Sequence, residues 1–141
     1  MKILLATASL AALALSAPVA AGDGGRPITV QMTGAAERPG PGDPDGSGTA
    51  VFRVNPGQGE VSYTLTVRNI APANAAHIHR APSTDPGPIV VSLAAPTNGS
   101  SSGCAPISRD LAKELIQNPA AFYVNVHNAE YPAGAVRGQL G

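Results

Sequence analysis

One cysteine, Cys104, is the only thiol in this chain, so no disulfide framework can stand in for a hydrophobic core. It lies in Gly99-Ser100-Ser101-Ser102-Gly103-Cys104, read as a loop, and a lone thiol there is expected to be buried and structural rather than reactive. Charge is also scarce, with nine basic and nine acidic residues and no basic cluster. That balance argues against nucleic acid or an anionic membrane as a partner. No glycine-rich phosphate loop leads into a helix, and Gly99-Ser100-Ser101-Ser102-Gly103, although spelled G-x-S-x-G, lies in a stretch read as a loop and not at a strand-to-helix elbow, which removes the common nucleotide-binding and serine-hydrolase readings. Asp43 and Asp45 sit in a Pro/Gly stretch without the further acidic ligands of a calcium loop, and read as solvated turn residues.

Long hydrophobic runs are missing except one. Ile3 to Leu15 is apolar apart from Ala, Thr and Ser, follows Met1-Lys2, and precedes the small residues Val19-Ala20-Ala21. A basic start, a short apolar stretch and small residues at a cleavage point form a secretory signal. The stretch falls short of the roughly 20 residues a bilayer crossing needs. Cleavage is expected after Ala21, leaving residues 22–141 as one exported domain, periplasmic or extracellular, with no membrane insertion. Loss of Lys2 leaves eight basic residues against nine acidic, a net charge of −1.

What the chain has in quantity is turn chemistry, with sixteen glycines and fourteen prolines. They fall between alternating runs, which reads as short strands joined by tight turns rather than as disorder. In Glu60 to Arg68, Val61, Tyr63, Leu65 and Val67 alternate with polar residues, so one face is buried and one wet. Gly48 to Val54 alternates likewise, and Asn55-Pro56-Gly57-Gln58-Gly59 joins the two as a hairpin. Ile28 to Met32, Ala75 to His79, Ile89 to Leu93, Phe122 to His127 and Ala135 to Leu140 complete about seven strands. One helix is predicted, capped by Ser108, with Leu111, Leu115 and Ile116 on its apolar stripe, and ended by Asn118-Pro119. The expected fold is all-β: a Greek-key β-sandwich or barrel with one short helix in a crossover.

All three histidines lie in two of those strands, at His77, His79 and His127. Residues two apart on a strand share a face, so His77 and His79 point the same way. His127 is out of phase with Phe122, Val124 and Val126, as His77 and His79 are with Ala76 and Ile78. Both segments therefore offer imidazoles from the face opposite the core, which predicts a solvent-reachable three-histidine metal site. An all-imidazole set suits copper first and zinc as the alternative. Tyr123, Asn125 and Arg137 are the expected supporting residues around it, although Arg137 by itself reads more readily as an outward strand charge.

The C-terminal half resembles the CHRD (chordin-type) domain, through Ala76-His77-Ile78-His79, Gly87-Pro88-Ile89-Val90-Val91-Ser92-Leu93, Asn118-Pro119, Tyr123-Val124-Asn125-Val126-His127 and the closing Tyr131 to Leu140. The hairpin from Gly48 to Arg68 fits the same family. This resemblance implies an extracytoplasmic β-sandwich and no agreed activity. A second resemblance, of the histidine pattern alone, is to the copper site of copper/zinc superoxide dismutases. The chain departs from that pattern in having no fourth copper histidine, no zinc-loop histidines and no cysteine pair. The leading expectation is a non-enzymatic binding protein, its partner a metal ion or an unidentified protein. The alternatives are a copper-dependent redox enzyme of the dismutase type and a metal-free protein-interaction module.

Overall fold

The computed structural model describes residues 25–141; the expected signal peptide, 1–21, lies outside the described residues. The elements run β1 (Arg26–Thr33), β2 (Ser47–Asn55), β3 (Glu60–Arg68), β4 (Ala73–Arg80), β5 (Ile89–Leu93), β6 (Ser100–Pro106), α1 (Arg109–Gln117), β7 (Phe122–Asn128) and β8 (Val136–Gln139). They form one sheet in the order β5-β4-β7-β8-β1-β2-β3-β6, and neighbours pair antiparallel. The sheet curls into a nearly closed barrel. The crossover through α1 carries the chain from β6 back to β7, which slots between β4 and β8. This agrees with the all-β, one-helix expectation.

Period-two alternation fills the barrel. Ala50, Phe52 and Val54 of β2, and Val61, Tyr63, Leu65 and Val67 of β3, are buried, and their strands pair in unbroken register from Ser47↔Arg68 to Asn55↔Glu60. Val30, Met32, Ile78, Val124, Val126 and Val136 join the same core. The helix begins where its cap predicts, with the Leu111 N–H donating to Ser108 Oγ at 3.1 Å, and buries Ala112 and Leu115. Arg80 of β4 pairs with Glu114 of the helix. Both partners are solvent-exposed, so this bridge contributes little to stability.

About seven strands were expected and eight are present, the addition being a segment read as a loop. Ser100–Pro106 pairs with β3 from Thr66↔Ser100 to Glu60↔Pro106, although its small polar side chains show no alternation. Backbone ladder bonds, and not an apolar face, define this edge strand, so hydrophobic period carries no sign of it. Cys104 is corrected too: it is exposed, because an edge strand of small residues has nothing above it to bury a thiol. Asp43, expected to be solvated, is buried and accepts the Asp45 N–H at 3.0 Å.

The barrel's seam lies between β5 and β6. There Ser101 Oγ donates to the Ala94 carbonyl at 2.7 Å and the Ala94 N–H donates to the Tyr63 hydroxyl at 2.8 Å. Gly103, opposite Tyr63 in the ladder, makes room for that hydroxyl, since a Cβ there would stand 2.6 Å from it. Tyr63→Phe is expected to cost about 1 kcal/mol, read as a lower denaturation midpoint with an unchanged denaturant slope.

Candidate metal centre

Register brings the three histidines together. In the β4–β7 ladder, Ala75 faces His127, His77 faces Asn125 and His79 faces Tyr123. His127 is therefore one step along the pair from His77. On the other side of β7, Asn125 faces Arg137 and Tyr123 faces Gln139 of β8. Imidazoles, phenol, amide and guanidinium thus share the outer face of three adjacent strands. A register slip at Ile78/His79 in the β4–β5 ladder is the kind of irregularity that re-aims a side chain beside a site.

That face is not simply wet. The segment between β4 and β5 folds back over it: Arg137 Nη1 donates to the Asp85 carbonyl and Nη2 to the Pro82 carbonyl, at 3.0 and 2.9 Å. Gln139 Nε2 donates to the Ala81 carbonyl at 2.7 Å. The Gly87 N–H donates to the Tyr123 hydroxyl at 3.2 Å. As a result His79, Tyr123, Asn125 and Arg137 are buried, while His77 and His127 keep partial exposure. Arg137, expected on its own pattern to point outward, is 1 % exposed. Strand parity chose its face correctly; parity carries no information about a loop that covers that face.

One ring nitrogen from each of His77, His79 and His127 lies within 4.8 Å of the other two. His77 Nδ1 and His127 Nε2 are 3.2 Å apart. With metal–nitrogen bonds of about 2.0–2.1 Å, two ligands of one ion stand no more than about 4.2 Å apart. The widest pair would therefore close by up to roughly half an ångström, a small ring rotation. Ring centroids are 5.4 Å apart for His77–His79, 5.0 Å for His77–His127 and 6.2 Å for His79–His127.

Hydrogen bonds fix which nitrogens face the cluster. His79 Nδ1–H donates to the Gly87 carbonyl at 2.8 Å, and its ring stacks on Tyr123 at 4.6 Å and 3°. Its other nitrogen, Nε2, is buried and has no hydrogen-bond partner. His127 Nδ1–H donates to the Pro132 carbonyl at 2.9 Å, so in the neutral ring Nε2 carries a lone pair. Nε2 stands 2.9 Å from the Asn125 side-chain oxygen, to which it donates only in the other tautomer, and 3.2 Å from His77 Nδ1. Lone pairs converge where few protons are available to separate them, and a cation satisfies such a cluster.

Charge states agree with ligand chemistry. Burial first, then the neighbouring His127 and His79, lowers the His77 pKa to about 4. His127 is lowered mainly by burial, with its bond to Pro132 working the other way. At neutral pH both rings are uncharged, the form that binds metal.

The supporting residues stack and bridge. The Arg137 guanidinium lies 3.4 Å from the Tyr123 ring centroid, so Tyr123 is held between Arg137 and His79. Sequence pattern gave no sign of Glu37. Its carboxyl is buried, within reach of the Asn125 side chain and within the field of Arg137. Gly134, at φ +139°, passes over that carboxyl, where any Cβ would overlap it. Burial, opposed by Arg137 and Asn125, raises the Glu37 pKa to about 7. An acidic residue in a Pro/Gly loop carries no periodic signal, so only the folded chain reveals it.

Among the described residues no helix is long and apolar enough to cross a membrane. Neither the curated proteins nor the solved structures contain a significant match, so the dismutase likeness rests on the type and order of three histidines alone. The family model of the CHRD domain matches residues 28–140, from within β1 to just past the end of β8, and includes every residue of the histidine cluster. The chain belongs to the CHRD domain family.

Proposed function

We propose that this protein is an exported CHRD-domain binding protein that holds one copper ion through His77, His79 and His127, with zinc as the competing metal. The observation that carries this reading is the buried, unpartnered Nε2 of His79 beside His77 Nδ1 and His127 Nε2, which are 3.2 Å apart. An orphaned buried polar atom costs free energy unless something binds it, and these nitrogens come from three imidazole rings. Imidazole-only donor sets favour copper and zinc over magnesium and calcium. Tyr123, Asn125 and Arg137 hold the ligands: Tyr123 by stacking on His79, Arg137 by bracing Tyr123, and Asn125 by its contact with His127. Export accords with a family whose domains are typically extracellular.

The test is metal stoichiometry by equilibrium dialysis against Cu(II) and Zn(II). One copper per chain, displacing zinc in competition, is expected; no bound metal would leave the metal-free interaction module as the reading. Copper-loaded protein is expected to consume superoxide no faster than the same copper free in solution. A large excess over that background would favour the redox enzyme. Asn125→Ala should weaken copper about 10- to 100-fold, the usual cost of losing a group that orients a ligand, measured by competition with a chelator.

A further inference from the structure

We propose that the cavity beside the histidine cluster, between Arg38 and Arg137, binds a small tetrahedral oxyanion of the phosphate type. The proposal does not depend on the metal reading, because Arg137 lies against the face of Tyr123 away from the stacked His79.

Arg137 carries its charge in a nearly closed environment. The residue is 1 % exposed, yet among the described residues it makes no ion pair. Its hydrogen bonds go only to neutral acceptors: the carbonyls of Asp85 and Pro82 and the amide oxygen of Gln139 at 3.3 Å. The carboxylates of Glu37 and Asp85 act on it only from beyond ion-pair distance, and a buried cation without a carboxylate in contact is costly, since such charges are ordinarily paired. Glu37 is a weak substitute, since burial raises its own pKa to about 7 and it stays largely protonated below that pH.

A cavity of about 260 Å³ adjoins this guanidinium, lined by Ala36, Arg38, Ser83, Thr84, Arg137 and Gln139. Two cations and two hydroxyl side chains line it, and no carboxylate does. Arg38 is fixed at the mouth by its Nη1, which donates to the carbonyls of Ala35 and Glu37 at 3.0 and 2.6 Å. Its Nη2 and Nε make no bond among the described residues. Arg137 commits three of the five N–H groups a guanidinium carries. Guanidinium forks match the paired oxygens of phosphate. The volume, below the roughly 300 Å³ where drug-sized ligands begin, suits a small ion. The Asp85 carboxylate nearby accepts the Thr84 hydroxyl at 3.1 Å. That leaves Ser83 and the two guanidiniums as the donors for the anion.

The experiment is a titration of the metal-free protein with inorganic phosphate at constant ionic strength, followed by calorimetry and by the side-chain Nε–H resonance of Arg137. Saturable one-to-one binding that moves this resonance is expected, with acetate and chloride at least about tenfold weaker. Arg38→Gln, an exposed change, should weaken phosphate about tenfold or more, as loss of a charge-assisted fork does. His127→Ala should leave phosphate binding unchanged. The proposal is overturned by any of three results: no binding up to about 10 mM phosphate, weaker than a millimolar site by an order of magnitude; equal binding of chloride; or an Arg38→Gln variant that binds as wild type does.

Discussion

Replacing His79 with alanine is expected to weaken copper binding by more than roughly 100-fold, because even groups that only orient a ligand cost 10- to 100-fold. His79 presents a buried nitrogen with no other partner, held in place by the Gly87 carbonyl and the Tyr123 ring. His127→Ala should cost a comparable factor, since its Nε2 sits 3.2 Å from His77 Nδ1. The double variant should lose little more than either single one, because groups that hold one ion act as a unit. Chelator competition on the three variants measures this directly. Affinity within about threefold of wild type in His79→Ala would show that the histidines are separate polar residues sharing a crowded face. Tyr123→Leu offers a control, removing the stack while leaving all three imidazoles in the chain, and should fall between wild type and His79→Ala.

Glu37 makes stability fall as pH rises. Below about pH 4.5, its ordinary value, the carboxyl is protonated in both folded and unfolded chains. Between there and about 7, its folded pKa, the unfolded chain releases the proton while the folded chain keeps it. Folding is therefore penalised progressively across that window, by up to about 1.4 kcal/mol per pH unit, and the loss levels off above it. From pH 5 to pH 8 wild type should lose about 2–3 kcal/mol relative to Glu37→Gln, whose amide cannot ionise. The cause is burial beneath Gly134, only partly offset by Arg137 and Asn125. Denaturant titrations of both proteins at the two pH values test it. Parallel stability curves would mean that the carboxyl is hydrated, or paired more closely with Arg137.

Of the candidate site, the part legible in the sequence was the part that strand geometry controls. A period of two puts His77 and His79 on one face and gives His127 the opposite phase to Phe122, Val124 and Val126. The pairing of β4 with β7 then follows the expectation that the two segments lie side by side. Asn125 and Tyr123 were placed by the same parity. The cover over that face was not legible. Pro82, Pro86, Gly87 and Pro88 announce a loop, but the carbonyls of Pro82 and Asp85 meet Arg137 only once β8 has paired with β7. An isolated reading of Arg137 as an outward charge fails for that reason.

The sequence by itself determined the antiparallel strands with an apolar inner face, the capped helix and the family, because each depends on spacing between near neighbours or on contiguous motifs. Tertiary structure decided the eighth strand, the exposure of Cys104, and the burial of Glu37 and Arg137. It also brought His127 within hydrogen-bonding distance of His77, fifty residues earlier in the chain. Those outcomes depend on which backbone lies across a given side chain. That is settled by sheet order and loop closure over long separations, and local periodicity carries no record of it.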